Sequence, residues 1–189
     1  DAAKIKREDW VAAYEAVARQ IVDTGGEAAS VRVDVSKEAE VQEMIAQTVA
    51  RWGRLDILYN NAARAHFAWF ADMNFELFRR TMRDEVDLVF HTTRAAWPHL
   101  ISSGAGAIVN TASISGLTAW SHAAPYCATK AAVIQLAKVA AVEYARDGIR
   151  VNCVCPGTFW SAIHDDLPAE ALDAIAARHP LGLGAATDV

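Results

Sequence analysis

The chain of 189 residues carries 18 lysines and arginines against 23 aspartates and glutamates, a formal net charge of −5. Its basic residues are scattered, so this charge argues against an electrostatic surface for nucleic acid. No apolar run reaches the length that spans a bilayer, and no secretory signal sequence is visible. The length and an apolar fraction of 53% predict a single globular domain over residues 1–189, located in the cytoplasm.

The cysteines and histidines of the chain predict neither a disulfide framework nor a metal site. The 3 cysteines are Cys127, Cys153 and Cys155, and the 6 histidines have no spacing typical of metal ligands. Cys153 and Cys155 are separated by one residue on a predicted strand, so they face the same side. We interpret them as small buried side chains of a protein from a reducing compartment.

The first third of the chain predicts helices and strands in alternation. Asp9 is expected to cap a first helix, which ends at Gly25. Residues 29–33 predict a strand, and Ser36 is expected to cap a second helix. Residues 55–59 form a short apolar run, which predicts the next strand.

A long helix is predicted over residues 74–100. Pro98 is expected to bend or end this helix, because proline lacks the amide hydrogen that a helix needs. The spacing of mostly apolar side chains predicts a buried face formed by Phe75, Phe78, Met82, Val86, Val89, Phe90 and Thr93.

The second half of the chain repeats the alternation. Residues 107–111 and 149–155 predict two further strands, and the helix between them begins near Pro125. A last helix is predicted over residues 168–178. Strands that alternate with helices pair in parallel through right-handed crossovers, so the fold class is predicted to be α/β with an open parallel sheet.

Several notable residues stand where the predicted strands end. Asp34, Asn60, Ser113 and Pro156 each lie at or just beyond the end of a different strand, and Tyr126 begins the helix beside them. In an open parallel sheet, ligands bind outside the carboxyl ends of the strands. The positions of these residues therefore predict a binding cleft at that edge of the sheet.

The segment Tyr126–Lys130 carries the strongest chemical signal. A tyrosine can exchange a proton near neutral pH only if a neighbour stabilises its phenolate. Lys130 lies one helical turn beyond Tyr126 on the same face, so its ammonium can do so, and Ser113 offers a hydroxyl that can hold a substrate oxygen. Together these groups suit proton transfer to or from an alcohol or a carbonyl. The alternative is a helix start with a solvated lysine.

Ordered motifs in the chain resemble those of the short-chain dehydrogenase/reductase family. They are Asp34-Val35, Asn60-Asn61-Ala62-Ala63, the segment 108–116 before the Tyr126–Lys130 motif, and the segment 149–157 after it. The resemblance runs over nearly all of the chain and implies a doubly wound, Rossmann-like parallel sheet in three layers. It also implies NAD or NADP as cofactor and hydride transfer between a secondary alcohol and a ketone.

The resemblance assigns roles to the matching residues. Tyr126 would exchange the proton with the substrate oxygen, Ser113 would orient that oxygen, and Lys130 would stabilise the phenolate and bind the nicotinamide ribose. Asp34 would accept the adenine amino group; the alternative is an ordinary turn aspartate. The further cofactor contacts implied by the family are Val35, Asn60, Asn61, Ala62, Pro156, Gly157 and Thr158.

The chain also departs from the family pattern. No segment matches the glycine-rich turn that cradles the cofactor pyrophosphate, and the chain stops short of the family's last strand, so we expect a fragment incomplete at both ends. Ala63 stands in place of the usual glycine. These departures leave a rival hypothesis, a truncated or degenerate relative that binds a nucleotide or a partner without catalysis.

Glu85 stands on the long helix where the family has an asparagine that helps to hold a relay water. A carboxylate there could hold the water, could stabilise the Lys130 ammonium if it lies close, or could disrupt the relay. Alternatively, Glu85 points outward from the helix and no relay exists.

Aromatic residues near the predicted site indicate the kind of substrate. Loops at the carboxyl edge of a sheet commonly line the site, so we expect a bulky apolar or cyclic alcohol or ketone; the alternative is that these are scattered core aromatics. The family resemblance further implies a homodimer or homotetramer that packs through the long helix and the Tyr126 helix. The aromatic and imidazole side chains expected in the pocket are Phe67, Trp69, Trp120, His122, Phe159 and Trp160.

Overall fold

The computed structural model describes residues 7–160, 169–180 and 182–184. These residues fall into two compact units, which are described separately. The larger unit is Val33–Pro156, and the smaller unit combines the described residues up to Arg32 with those from Gly157 onward. The single domain over residues 1–189 stays a prediction.

The secondary structure alternates between helices and strands. A π-helical turn, Arg83–Asp87, joins the third helix to the fourth, and 3-10 turns lie at Ile114–Gly116 and Ala145–Asp147. In chain order the helices are α1 (Arg7–Asp23), α2 (Glu38–Trp52), α3 (Phe75–Met82), α4 (Leu88–Ser103), α5 (Ala124–Glu143) and α6 (Ala169–Ala176), and the strands are β1 (Ile57–Asn60), β2 (Ala107–Thr111) and β3 (Arg150–Val154).

The three strands form one parallel sheet in the order β1-β2-β3. Ile57 lies opposite Ala107, and Ala107 lies opposite Arg150. Each connection between neighbouring strands contains helix, as a parallel pairing requires. The predicted α/β class is thus confirmed, and the strands predicted over 55–59, 107–111 and 149–155 are all present.

Apolar side chains in the larger unit pack into two clusters. The first joins α2, β1 and α4 through Ile45, Leu58 and Leu100. The second joins α4 and α5 through Leu88 and Val133 and also receives Cys153 and Cys155, described below. Packing both clusters against the sheet fixes α4 and α5 beside β2 and β3.

The segment 29–33 forms no strand, contrary to the prediction. A strand is stable only when a neighbour pairs with it, and no described segment does so here. The N-terminal cap predicted at Asp9 is also wrong, because α1 already begins at Arg7. An acidic residue suits the first turn of a helix as well as its cap, so the sequence signal did not fix the boundary.

The cap predicted at Ser36 is wrong as well. Lys37 occupies the N-cap of α2 and makes no side-chain cap hydrogen bond. The Ser36 hydroxyl instead donates to Asp34 Oδ1 at 2.7 Å. This serine therefore stabilises the turn before the helix, which is the competing use of such side chains.

The long helix predicted over 74–100 is interrupted by the π turn and then continues to Ser103. Pro98 lies inside α4 and does not end it. Pro98 is exposed, so water can hydrate the carbonyl that loses its partner.

The face predicted to be buried on this long helix is correct only in part, because Phe78, Met82, Val86 and Thr93 are partly buried and two other members are exposed. Phe75 is 73% exposed and Phe90 is half exposed, whereas Val89 is buried as predicted. A π turn holds one extra residue, which rotates the following residues relative to those before it. The side chains that are buried instead are Thr81, Glu85, Leu88, Thr92, Ala96 and Leu100.

The smaller unit contains α1 and α6. Residues of α1 and the segment 28–31 line a shallow apolar cleft of about 320 Å³. The last helix, predicted over 168–178, is confirmed as α6, with residue 168 outside the described residues. Within the described ranges, no helix combines the length and apolar character needed to cross a membrane.

The 3-10 turn after β2 packs closely against α5 at Gly116. A Cβ atom placed on Gly116 would lie 2.7 Å from Ile134 Cδ1 and 2.8 Å from the Lys130 carbonyl oxygen. Glycine is therefore needed for this close approach. The contact holds the segment that begins at Ser113 against the helix that carries Lys130.

We expect Gly116→Ala to lower the free energy of unfolding by about 1–3 kcal/mol, because the added methyl group overpacks the contact. Adding Ile134→Val should not restore stability, since the Lys130 backbone still blocks the methyl group. Urea unfolding measures both effects, with Ser115→Ala in the same turn as the control. A Gly116→Ala protein as stable as the wild type would contradict this account of the packing.

Candidate active site

The carboxyl edge of the sheet gathers several of the predicted residues within the larger unit. Asn60 is the last residue of β1, Ser113 follows β2, and Pro156 follows β3. The backbone N–H of Ile114 donates to the carbonyl of Pro156 at 3.0 Å, which ties the two loops together. Asp34 follows no strand, so that part of the predicted arrangement is wrong.

Lys130 is a lysine buried inside this edge, with 3% of its surface exposed. Its Nζ donates to the carbonyl oxygen of Thr111 at 3.1 Å and lies 2.9 Å from Glu85 Oε2. The same Nζ is 5.6 Å from the centroid of the Tyr126 ring. An ammonium has three N–H groups, so one remains for a further acceptor.

Tyr126 and Ser113 present hydroxyl groups at the same edge. Tyr126 lies in the first turn of α5 and is half-buried. Ser113 is buried, and its Oγ accepts the backbone N–H of Ser115 at 3.1 Å. The Ser113 hydroxyl donates to no atom among the described residues, so its hydrogen can serve a ligand oxygen.

Glu85 lies in the π turn and is 1% exposed, so the alternative in which it points outward is wrong. Its contact with Lys130 has the distance of an ion pair, but neither carboxylate oxygen makes a well-formed hydrogen bond among the described residues. Burial raises the pKa of Glu85, while the Lys130 ammonium, the Arg64 amide and the His66 ring act in the opposite direction.

A second pair, which the sequence analysis did not identify, lies beside Glu85. His66 Nε2 is 3.0 Å from Asp84 Oδ2, and the two side chains are only 14% and 13% exposed. Asp84 directly precedes Glu85, and His66 follows the Asn60–Ala63 motif closely. These positions next to known motifs were the only signal for the pair in the sequence, because the sequence does not show that His66 and Asp84 are in contact.

The two asparagines after β1 differ in their surroundings. Asn60 is buried; its Nδ2 donates to Asn110 Oδ1 at 2.8 Å, and its Oδ1 accepts from the Thr92 hydroxyl at 2.7 Å. This side chain thus braces β1 against β2 and α4. Asn61 and Ala62 are exposed at the carboxyl edge, where their backbone is open to a ligand.

Asp34 and Val35 form part of the turn that leads into α2. Asp34 Oδ1 accepts both the backbone N–H and the hydroxyl of Ser36, and these hydrogen bonds hold the pKa of Asp34 below its ordinary value. Val35 packs against the second apolar cluster. Asp34 therefore does stabilise a turn, which was the alternative interpretation of this residue. Its contact with adenine stays a prediction.

An aromatic wall stands beside Tyr126. The Phe67 ring lies 5.3 Å from the Tyr126 ring, and the Trp69 ring meets the His122 ring edge-on. The backbone N–H of Ala68 donates to the carbonyl of His122 at 2.7 Å. His122 has a positive φ of 62°, an uncommon conformation for a residue other than glycine, and this turns the chain just before α5.

The remaining residues predicted to line the pocket do not all belong to the larger unit. Trp120 is half-buried near His122 in the larger unit. Phe159 and Trp160 belong to the smaller unit, where each pairs with Gly184. Gly157 and Thr158 belong to the smaller unit too.

The cysteines and histidines form no metal cluster among the described residues. All three cysteines are free. Burial, followed by the neighbouring Cys155, raises the pKa of Cys153 to about 11, so its thiol stays protonated and unreactive at neutral pH. Both side chains are half-buried against the second apolar cluster, on one side of β3.

The chain is similar to known proteins along most of its length. The family model for short chain dehydrogenase matches residues 6–171. A meso-2,3-butanediol dehydrogenase from Serratia marcescens is 36% identical over 160 residues, which is 85% of this chain and 63% of that protein. A cis-4-hydroxycyclohexanecarboxylate dehydrogenase from Sinomonas cyclohexanicum is 37% identical over 88% of this chain and 67% of that protein.

Solved structures share the fold. A short-chain type dehydrogenase/reductase from Mycobacterium marinum superposes with a TM-score of 0.85 at 35% identity, covering 92% of this chain and 69% of that one. A gluconate 5-dehydrogenase from Burkholderia cenocepacia, in complex with NADP and tartrate, gives 0.83 at 34% identity, with coverages of 89% and 67%. The predicted Rossmann-like architecture is thereby confirmed.

The chain spans 62–67% of the length of the first three curated relatives that it matches. Within that span, the matched residues include the Asn60–Ala63 motif, Ser113 and the Tyr126–Lys130 motif. The extent of the match and the shared fold lead to one conclusion: the chain belongs to the short-chain dehydrogenase family.

Proposed function

We propose that the protein is an NAD(P)-dependent oxidoreductase that interconverts a secondary alcohol and a ketone, with Tyr126 as the acid/base. The observation that carries this proposal is the position of Lys130, whose buried Nζ is held by the Thr111 carbonyl and Glu85 close to the Tyr126 ring. A cation fixed there stabilises a phenolate. The named activities of the relatives, which are dehydrogenases of alcohols, agree with it.

The groups at the carboxyl edge fit the nicotinamide half of NAD or NADP. Lys130 keeps one N–H for a ribose hydroxyl, and the backbone at Asn61 and Ala62 is open for the adenosine side. Further contacts within the larger unit would come from Asp34-Val35 and from Pro156. When bound, the nicotinamide would accept hydride from the carbinol carbon or return it to the carbonyl carbon.

The protein side chains would transfer the proton and orient the substrate. In oxidation, the Tyr126 phenolate would take the hydroxyl proton of the substrate, while the Lys130 ammonium stabilises the phenolate before transfer. The Ser113 hydroxyl would donate to the substrate oxygen and keep it oriented, because its Oγ is itself fixed by the Ser115 amide. In reduction, the same groups would act in the reverse direction.

The aromatic wall favours an apolar or cyclic substrate. Phe67 lies beside Tyr126 and Trp69 lies against His122, and both have exposed ring surface against which apolar rings are well suited to pack. Relatives of the chain include dehydrogenases of cis-4-hydroxycyclohexanecarboxylate and of 3β-hydroxysteroids. We infer a bulky apolar or cyclic alcohol or ketone for this protein as well.

The rival hypothesis, a non-catalytic relative, has less support. A binding protein would have no use for a lysine buried beside a tyrosine and fixed by an ion pair, since burying a charge is costly. The three free cysteines suit a reducing compartment, and we propose the cytoplasm.

We expect Tyr126→Phe to lower kcat by about 10²–10⁴-fold, because the proton donor and acceptor is removed. Cofactor binding should be retained, which energy transfer from tryptophan to the reduced nicotinamide measures. Tyr144→Phe, at the far end of α5, is the control and should keep full turnover. Unchanged turnover in Tyr126→Phe would refute the acid/base role, and cofactor binding without any turnover in the wild type would support the rival hypothesis.

Phe67→Ala should lower kcat/KM for a cyclohexanol roughly tenfold and for butan-2-ol much less, because only the ring substrate loses a ring-to-ring contact. Phe70→Ala removes an aromatic side chain that is almost fully exposed and serves as the matched control. Equal losses for the two alcohols would show that Phe67 does not select the substrate.

We also propose a homodimer or homotetramer that packs through α4 and α5. Phe90, Val139 and Val142 are exposed there, Val142 by 80%, beside a groove of about 510 Å³ between the helices. Val142→Glu should shift the mass measured by light scattering toward the monomer, whereas Phe75→Glu on α3 should not. A wild-type protein that is already monomeric would contradict the proposal.

A further inference from the structure

Glu85 is a buried charge that the mechanism above uses only as a partner of Lys130. Its carboxylate is 2.9 Å from Lys130 Nζ and also interacts with the Arg64 amide, and neither oxygen makes a well-formed hydrogen bond among the described residues. The asparagine that Glu85 replaces by resemblance is neutral and cannot take up a proton. A carboxylate can, and the raised pKa of Glu85 lets it hold one closer to neutral pH.

Alcohol oxidation creates a need for such a group. Each turnover leaves one proton on the Tyr126 phenol, which must lose it before the next turnover. The Lys130 ammonium can accept that proton only if it gives one away at the same time. Among the described residues, the carboxylate of Glu85 contacts Lys130 and can act as that base.

The surroundings of Glu85 offer a further step toward solvent. Lys130 on α5 and His66 on the segment after β1 both interact electrostatically with the Glu85 carboxylate. Asp84, next to Glu85, is 3.0 Å from His66 Nε2, and Arg83 is 3.1 Å from the other Asp84 oxygen. The Cys153 thiol on β3 interacts electrostatically with Lys130. His66 and Asp84 are partly exposed, whereas Glu85 and Lys130 are not.

Asp84 sets the chemistry of His66. A carboxylate at Nε2 accepts the N–H of the ring, which leaves Nδ1 as the basic nitrogen of a neutral imidazole. That nitrogen can accept a proton and pass it on, while the contact with Asp84 holds the ring in place.

We propose that Glu85 is the proton acceptor for Lys130 and that the His66–Asp84 pair passes the proton between Glu85 and solvent. This rests on the proposed function. In oxidation, Lys130 gives a proton to Glu85 as it takes one from Tyr126, and Glu85 then passes its proton to His66. The phenolate is restored and one proton is released per alcohol oxidised, and ketone reduction runs the same path inward.

The first test compares the pH dependence of kcat in the wild type, Glu85→Gln and Glu85→Asn. The wild type should lose oxidation activity as the pH falls through the pKa of Glu85, because the protonated carboxyl cannot accept. Both variants should lose at least about tenfold in kcat, with little change in KM, and should lack that ionisation. A Glu85→Asn enzyme with wild-type kcat and an unchanged pH profile would overturn the proposal.

The second test remains informative if the Glu85 variants do not fold. His66→Ala should lower kcat several-fold in dilute buffer, and added imidazole should restore it in a saturable way, since a small base can replace the missing ring. A structural role for His66 would not respond to imidazole. The role of the His66–Asp84 pair in passing the proton to solvent is refuted if imidazole accelerates His66→Ala no more than it accelerates the wild type.

A third measurement does not depend on activity. The protein labelled with ¹³C at the glutamate carboxyl groups should give one resonance that titrates above the ordinary range and is absent in Glu85→Gln. In Lys130→Met the same resonance should titrate higher still, because the stabilising ammonium is gone. An ordinary titration would refute the proton-holding role even in an active enzyme, whereas a wild type without turnover would refute the proposed function instead.

Discussion

The burial of Lys130 is the constraint on which the rest of the site depends. An ammonium that leaves water loses several kcal/mol of solvation, and removing one partner of a buried ion pair costs about 3–5 kcal/mol. The carbonyl of Thr111 and the carboxylate of Glu85 provide the compensation at 3.1 and 2.9 Å. The end of β2, the π turn and α5 therefore have to meet at one point, close to the first turn of α5, which carries Tyr126.

The π turn explains how Glu85 reaches that point. Five residues, Arg83–Asp87, form the turn between α3 and α4, and Glu85 lies at its centre. The extra residue changes which side of the helix faces the sheet, so polar side chains are directed inward there. Thr81 remains compatible with this burial because its hydroxyl donates to the carbonyl of Leu77, one turn earlier, and Thr92 because its hydroxyl donates to Asn60 Oδ1. Glu85 has no such local partner, which leaves its charge to Lys130.

Sequence reasoning succeeded where the signal was local and failed where it depended on distant residues. The strand at 107–111 and the helix start at Pro125 were predicted because apolar runs and proline act on their own neighbourhood. The strand at 29–33 needed a pairing partner, which its own residues do not specify. The buried face of the long helix was predicted only in part, because the π turn shifts the residues that follow it and the apolar spacing does not reveal that turn. The pairing of His66 with Asp84 was missed because the two residues belong to different elements.

The same physics distinguishes a working site from a packing motif. Buried ion pairs can often be replaced by apolar residues of similar volume without loss of stability, and sometimes with a gain. Stability alone therefore does not account for a lysine and a glutamate that are both almost fully buried. The pair also lies beside the only tyrosine of α5, with one lysine N–H left over and a serine hydroxyl free to donate. A set of groups that leaves hydrogen-bonding capacity directed at the carboxyl edge of a parallel sheet is suited to bind and protonate a ligand there.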